Sequence, residues 1–465
     1  MLACLWLAPA VAVAAAPKVN PAIAVLPALP ATGTAADPAL GMALQELADQ
    51  VLLATPAVAK FSLVAGGLRR VFRTAVEFDA WLQGRPLSLQ VVGQRLKNKS
   101  LIMHYSGTPA ERKVELALVN PDGHMAALVM APVDLPGLVQ FRQGLLLLLK
   151  SAGLAPPPDQ EPAVLWRENL PLPALRALGR GLWAMRRAGA FDRGSVTDAA
   201  ALFREATAAA ADSYLANDYV GWAALSQEAT ASADEPLRRA LALNPRGVDA
   251  LDGLAEAALK RGDDADGEQF AKQSALAAGR PVDRALAMHL HSRARYAHHR
   301  GDHQREMADG ERACALLRTP EPDYMLPWCQ LQLASLAASH QQHLQAAAYA
   351  ESARQVALAW YAHSVVALAA ERAAEAYDEA QQPARALPLW REAAGKAPWA
   401  SERAHAFERA SRDAEKLHDL AAAIDLQRQA VAQLESLEVG EEPESDLPSA
   451  RARLQQLLAQ AGQAN

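Results

Sequence analysis

"GLAEAALKRGDDADGEQFAKQSALAAG" (residues 253–279) decides the fold. Two apolar-periodic segments flank a Gly262-Asp263 turn, and small residues stand where two antiparallel helices must touch. A helix hairpin packs tightly only where its facing side chains are short. The same register recurs along the chain. The small position early in the second helix falls at Ala199, Ala233, Gly267, Ala346, Ala386 and Ala423, with Glu306 as the one misfit. Seven residues later stand Ala206, Ala240, Ser274, Ala313, Ala353, Ala393 and Ala430. The contact position of the preceding helix is Gly221, Ala255, Ala294, Ala334, Ala374 or Ser411. Successive units are 34, 34, 39, 40, 40 and 37 residues apart. The longer spacings imply helices extended by more than a turn.

This register resembles the tetratricopeptide repeat (TPR). "ERAAEAYDEAQQPARALPLWREAAGKAP" (371–398) carries Tyr377, Ala386, Trp390, Ala393 and Pro398 at the positions where the family has those types. "YVGWAALSQEATASADEPLRRALALNP" (219–245) closes on a typical "ALALNP". The pattern predicts about seven hairpins over 170–438, then an acidic loop and a capping helix over 439–465. A repeat array needs such a cap to cover its last apolar face.

Ahead of the array the periodicity changes. "NPAIAVLPALPATG" (20–33) reads as a buried strand, Ala22 to Leu26, stopped by Pro27. Leu40, Ala43, Leu44, Leu47, Val51 and Leu52 then share one helical face. "FSLVAG" reads as a second strand, "TAVEFDAWLQG" and "LSLQVVGQRLKN" as helices, "SLIMHYSG" as a strand. "RKVELALV" and "HMAALVMAP" read as a hairpin about Asn120-Pro121-Asp122-Gly123. "LPGLVQFRQGLLLLLKSAGL" closes the domain as a helix. These words resemble the TolB amino-terminal-like domain, found also in FlgO-like and CsgG-like envelope proteins. Ile23–Pro27 matches the family's opening strand. The Thr32–Asp37 loop and Leu47-Ala48-Asp49, with Val51 and Leu52, match its loop and first helix. "RLKNKSLIMHYSG", with Gly107, matches a later segment, whereas Ala28 departs from the usual Phe. The predicted fold class is therefore an α/β N-terminal domain (19–154) followed by an all-α TPR superhelical solenoid, mainly α overall. A Pro-rich linker spans 155–169.

Residues 1–16 are apolar and uncharged, with Ala12-Val13-Ala14 resembling a signal-peptidase site. They read as a signal peptide or as the remnant of a membrane helix. Either places the rest on the extracytoplasmic side, in the periplasm or at the inner membrane, with a membrane tether at the N-terminus on the second reading. The formal net charge of −6 argues against a nucleic-acid partner.

No standard catalytic motif occurs. There is no GxSxG, no GxxxxGK[ST], no HExxH and no paired CxxC. Catalytic and cofactor-binding residues are accordingly expected to be none. Histidine is the chemical oddity: eight of twelve lie between 289 and 363, densest in "MHLHSRARYAHHRGDH" (288–303). His291, His298, His299 and His303 are the candidates for metal ligation or pH sensing. The favoured reading is polar contact between helices or lining of the groove. Of three cysteines, Cys314 and Cys329 stand equidistant from a Pro-containing turn. A disulfide is open to them in an oxidising compartment, and two buried small hydrophobes is the favoured reading.

The TPR resemblance implies a non-catalytic scaffold that holds a protein or peptide partner in its groove. The combination with a TolB-like domain also resembles the sensor halves of bacterial membrane proteins that carry a class III adenylate cyclase or a winged-helix regulator elsewhere.

Overall fold

The structure is a computed structural model. It describes residues 22–464 apart from 56–58, 62–67, 70, 97, 109–110, 136, 157, 160, 162–164, 192–196, 280, 319–324, 360–362 and 438–445. The leader, most of "FSLVAG" and most of the acidic loop lie outside the described residues. The chain divides into two compact units, residues 20–316 and 317–465.

The first unit opens with a mixed sheet in the order β3-β1-β4-β5-β6. β1 (Ala22–Val25) is flanked by β3 (Ala59–Phe61) and β4 (Lys99–Ser106), both parallel to it. A strand with parallel neighbours on both edges and helices on its faces must be apolar throughout. Ile23, Ala24, Val25 and Leu26 are accordingly all buried. Pro27 stands where the strand leaves the ladder, and its carbonyl accepts from Trp81 Nε1 at 2.9 Å. Two residues later the chain rejoins β4 as β2 (Leu29–Pro30), an element too short to leave a pattern in the sequence. β4, β5 (Lys113–Val119) and β6 (Met125–Pro132) form an antiparallel meander. Its predicted turn is closed by Asn120 N–H to His124 O at 2.9 Å, with Gly123 at φ +86°.

α1 (Pro38–Leu53) begins on Asp37, whose carboxylate accepts from Leu40 N–H. Every residue from Ala39 to Leu53 is buried, polar ones included. The reason lies in α5 (Leu172–Ala190), which covers the face of α1 turned away from the sheet. Gly179 permits the approach: a Cβ there would lie 1.8 Å from Ala39 O. Buried Glu46 is paired with buried Arg186 of α5 at 2.6 Å. α2 (Ala75–Leu82), α3 (Leu89–Leu96) and α4 (Val139–Ser151) complete the α/β part. In α2, Phe78 and Trp81 are buried as expected, while Val76 is 77% exposed.

The sequence places a linker at 155–169. The structure threads the end of that stretch into the core. Arg142 of α4 is fully buried, with its guanidinium 3.8 Å from the Trp166 ring centre. Burial lowers its pKa to about 10. Buried Glu168 accepts from Leu215 N–H at 3.3 Å, and burial pushes its carboxyl up to about 7. One apolar cluster runs from Ile23 through α1 and α5 to Ala250. The α/β part and the first hairpins therefore share a core rather than hanging on a spacer.

The hairpins of the first unit pair α5 with α6 (Thr197–Ala209), α7 (Tyr214–Ser226) with α8 (Thr230–Leu243), α9 (Val248–Arg261) with α10 (Asp264–Ala277), and α11 (Val282–His299) with α12 (His303–Leu317). Those of the second unit pair α13 (Leu326–Ser339) with α14 (His343–Ala359), α15 (His363–Glu379) with α16 (Pro383–Lys396), and α17 (Ala400–Lys416) with α18 (Leu420–Glu435). The predicted register is buried in both units. Ala199, Ala233, Ala346, Ala386 and Ala423 are each at most 1% exposed. Gly181 and Gly221 admit Phe203 and Leu237 of their partner helices at distances a Cβ would forbid.

The turns repeat as closely as the helices. Each first helix from α7 onward ends on a left-handed residue: Glu228, Gly262, Gly301, Gln341, Gln381 or His418. The residue after it donates back five positions, to Ala224, Ala258, Ala297, Ala337, Tyr377 or Ala414, at 2.8–2.9 Å. This is a Schellman closure, which satisfies carbonyls that a helix end would leave orphaned. α19 (Leu447–Ala464) packs on α18 and buries Ala450 and Leu457, so it acts as the predicted cap.

Candidate functional site

Each unit has a hollow walled by the first helices of its hairpins. In the first unit it holds about 420 Å³ between the α7–α8 turn, α9 and α11. Its lining is Glu228, Thr230, Glu256, Lys260, Ser292, Arg295, Tyr296 and His299. α9 and α11 are consecutive first helices, so residues at matching positions along them meet across the space between. Tyr296 donates its hydroxyl to the Glu256 carboxylate. Burial, and then that carboxylate, raise the phenol well above its ordinary value. Lys260 Nζ donates to Leu225 O at 2.6 Å and lies 6.0 Å from the Tyr296 ring centre. Arg295 stays exposed.

The hollow of the second unit holds about 480 Å³ between α13, the start of α14, α15 and α17. Its polar lining is Ser335, His343, Arg372, Glu375, Glu379 and Arg409, with alanines between. Arg372 pairs with Glu375 at 2.7 Å and Arg409 with Asp378 at 3.0 Å. Behind Arg409 lies a buried carboxylate pair. Asp413 is raised to about 6, by burial first and by Asp378 next. Burial works against Asp378 too, but hydrogen bonds from Asp413, Trp390 and Lys416 outweigh it and hold Asp378 below the usual range. In both hollows carboxylates and cations are interleaved. Such a surface suits an extended chain with mixed polar side chains better than a small apolar ligand.

The four candidate histidines separate. His298 and His303 come together on Glu306 of α12: their Nδ1 atoms lie 2.7 and 3.2 Å from its two carboxylate oxygens. His299 lines the first hollow. His291 is half-buried on α11, and burial lowers its pKa. Cys314 and Cys329 are both buried. Among the described residues no helix is long and apolar enough to cross a membrane.

No family model matches the chain, and neither does any curated protein. Solved structures do. BtubC (BKLC) from P. vanneervenii is 15% identical, with 47% of this chain and 92% of that one covered, at a TM-score of 0.35. The C-terminal part of a TPR repeat-containing protein from Cytophaga hutchinsonii is 13% identical, covering 52% and 92%, at 0.35. PilF of Pseudomonas aeruginosa is 16% identical, covering 52% and 97%, at 0.30. Likenesses at this level say nothing about a partner. The buried small-residue register and the repeated turn are this chain's own marks of TPR-type hairpins.

Sequence reasoning did not single out Tyr296, Glu256, Lys260, Arg372 or Arg409. Which residues of a repeat face the hollow depends on how consecutive hairpins stack, and helical period alone does not show that. Glu306 did leave a signal, as the only charged residue at a small position, beside the densest histidine run.

Proposed function

We propose that the chain is a non-catalytic scaffold that holds an extended segment of a protein partner along the first-helix face of its hairpins. One observation carries this reading: in both units the hollow of interleaved charges is walled mainly by first helices, and the second helices contribute only from their first turn, Thr230 of α8 and His343 and Ala346 of α14. Arg295→Glu in the first unit and Arg372→Glu in the second are expected to weaken capture of that partner from bacterial envelope extracts. Lys272→Glu, exposed on the second helix α10, is expected to leave it unchanged. Equal loss in all three variants would refute the reading.

We place this binding outside the cytoplasm, in the bacterial envelope, on the strength of the apolar leader and the TolB-like opening. Fractionation of cells expressing the tagged chain tests the location. In an oxidising compartment the cysteine pairing open to the sequence would leave Cys314 and Cys329 unreactive to thiol reagents in the unreduced, denatured chain. A second reading draws on the core shared by α1 and α5. A TolB-like domain packed this tightly on the first hairpins suits a regulatory part that couples partner binding to an effector. In-frame coding sequence for a cyclase or winged helix upstream would favour it.

A further inference from the structure

Glu306 breaks the rule that organises the array. Its equivalents are Ala or Gly, chosen because the two helices of a hairpin touch there. Glu306 nevertheless lies at this contact with 0% exposure. A buried carboxylate is costly unless a cation or a set of donors meets it. Among the groups facing it are two imidazoles. His298 comes from the last turn of α11 and His303 is the first residue of α12, so the Gly301-Asp302 turn carries one on either side. Their exposures are 46% and 56%, which leaves the outer side of the cluster open to water.

We propose that His298, His303 and Glu306 form a binding site for a late first-row divalent transition metal, of which Zn²⁺ is the type. One ligand atom from each of the three lies within 4.8 Å of the others. In a tetrahedral zinc site with bonds of about 2.0–2.2 Å, ligand atoms stand roughly 3.3 Å apart. The two imidazole-to-carboxylate separations, 2.7 Å to one oxygen and 3.2 Å to the other, both lie below that spacing, and exposed imidazoles can rotate outward to admit an ion. Two nitrogens and one carboxylate oxygen are borderline donors. They suit Zn²⁺, Ni²⁺, Co²⁺ or Cu²⁺ and not the all-oxygen shells of Ca²⁺ or Mg²⁺. Three protein ligands leave a fourth position on the solvent side, for water or for a donor atom of a partner. The competing account is a purely electrostatic one, in which imidazolium charges neutralise Glu306 and no metal enters.

Zinc titration of the metal-stripped full chain against a chromophoric chelator separates the two. The expected result is one tightly held equivalent. Glu306→Ala installs the residue that the register uses elsewhere, so it should retain helicity by circular dichroism. It should also lose that equivalent, with affinity falling by more than the ~10–100-fold that removal of an outer partner costs. His298→Ala should do the same, and His363→Ala on α15 should bind as the unaltered chain does. If Glu306→Ala fails to fold, Glu306→Gln keeps the side-chain volume and serves in its place. No stoichiometric zinc on the unaltered chain, or undiminished binding by the folded Glu306 variant, would overturn the proposal.

Discussion

The α15–α16 and α11–α12 hairpins follow one register and close on the same turn, yet their centres differ in chemistry. In α15–α16 the contact position is Ala386, fully buried, and Trp390 is fully buried in the same helix. In α11–α12 it is Glu306, met by His298 and His303. The left-handed turn residue is Gln381 in the first case and Gly301 in the second. At this position the first hairpin is built for packing. The second gives up packing at one position and places a polar cluster there. A repeat array makes such an exchange readable, because every other unit states what the position needs when only stability is at stake.

The largest expected effect comes from transplanting the exception. Ala386→Glu buries a carboxylate without the two imidazoles and should destabilise the chain by several kcal/mol, on the order of the ~3–5 kcal/mol of an uncompensated buried charge. Chemical denaturation measures it. The reverse change, Glu306→Ala, should cost less, on the order of 1 kcal/mol, since it removes the buried charge and leaves behind two imidazoles that water already reaches. Comparable losses for the two would dissolve the comparison. Trp390→Ala removes a fully buried indole that also donates to Asp378 at 3.0 Å, so a loss of about 3–5 kcal/mol is expected.

A pH effect follows behind the second hollow. Asp413 titrates at about 6 in the folded chain, above its ordinary 3.8. The folded state therefore holds a proton that the unfolded state has released between those values. Its contribution is full below pH 3.8 and is lost as pH rises through about 6. Asp413→Asn keeps a donor toward Asp378 and removes the titration. The difference in melting temperature between pH 5 and pH 8 should shrink in that variant, and an unchanged difference would exclude Asp413 as its source. The smallest effect concerns the turns. Gln381 adopts φ +56°, so Gln381→Gly should stabilise by up to about 1 kcal/mol, whereas Gly301→Gln should cost a similar amount.

The array was legible because a helix contact leaves a strict demand at fixed spacing, and six of seven units meet it with Ala or Gly at the first position. β1, the β5–β6 hairpin and the capping helix were legible for the same kind of reason: a long enough period, or turn residues with one use. β2 was not, being two residues after a proline. The double burial of α1 was not either. Glu46 and Asp49 look like a solvent face until Arg186, some 140 residues on, supplies their partner. The hollows depend on stacking between hairpins, so Tyr296 and Glu256 carried no mark. The histidine cluster was half legible: the run was visible, and the structure selects His298 and His303 from it through Glu306.

Site-specific photo-crosslinking tests the central claim most directly, that the first-helix face holds the partner. A photoreactive residue would be placed at Ser292 on α11 and Ser335 on α13, both lining hollows, and at Lys272 on α10 and Arg391 on α16, exposed on second helices. We expect one and the same envelope protein joined to the chain from positions 292 and 335, and none from 272 and 391. Crosslinks from the second-helix positions alone, or from all four equally, would contradict the account.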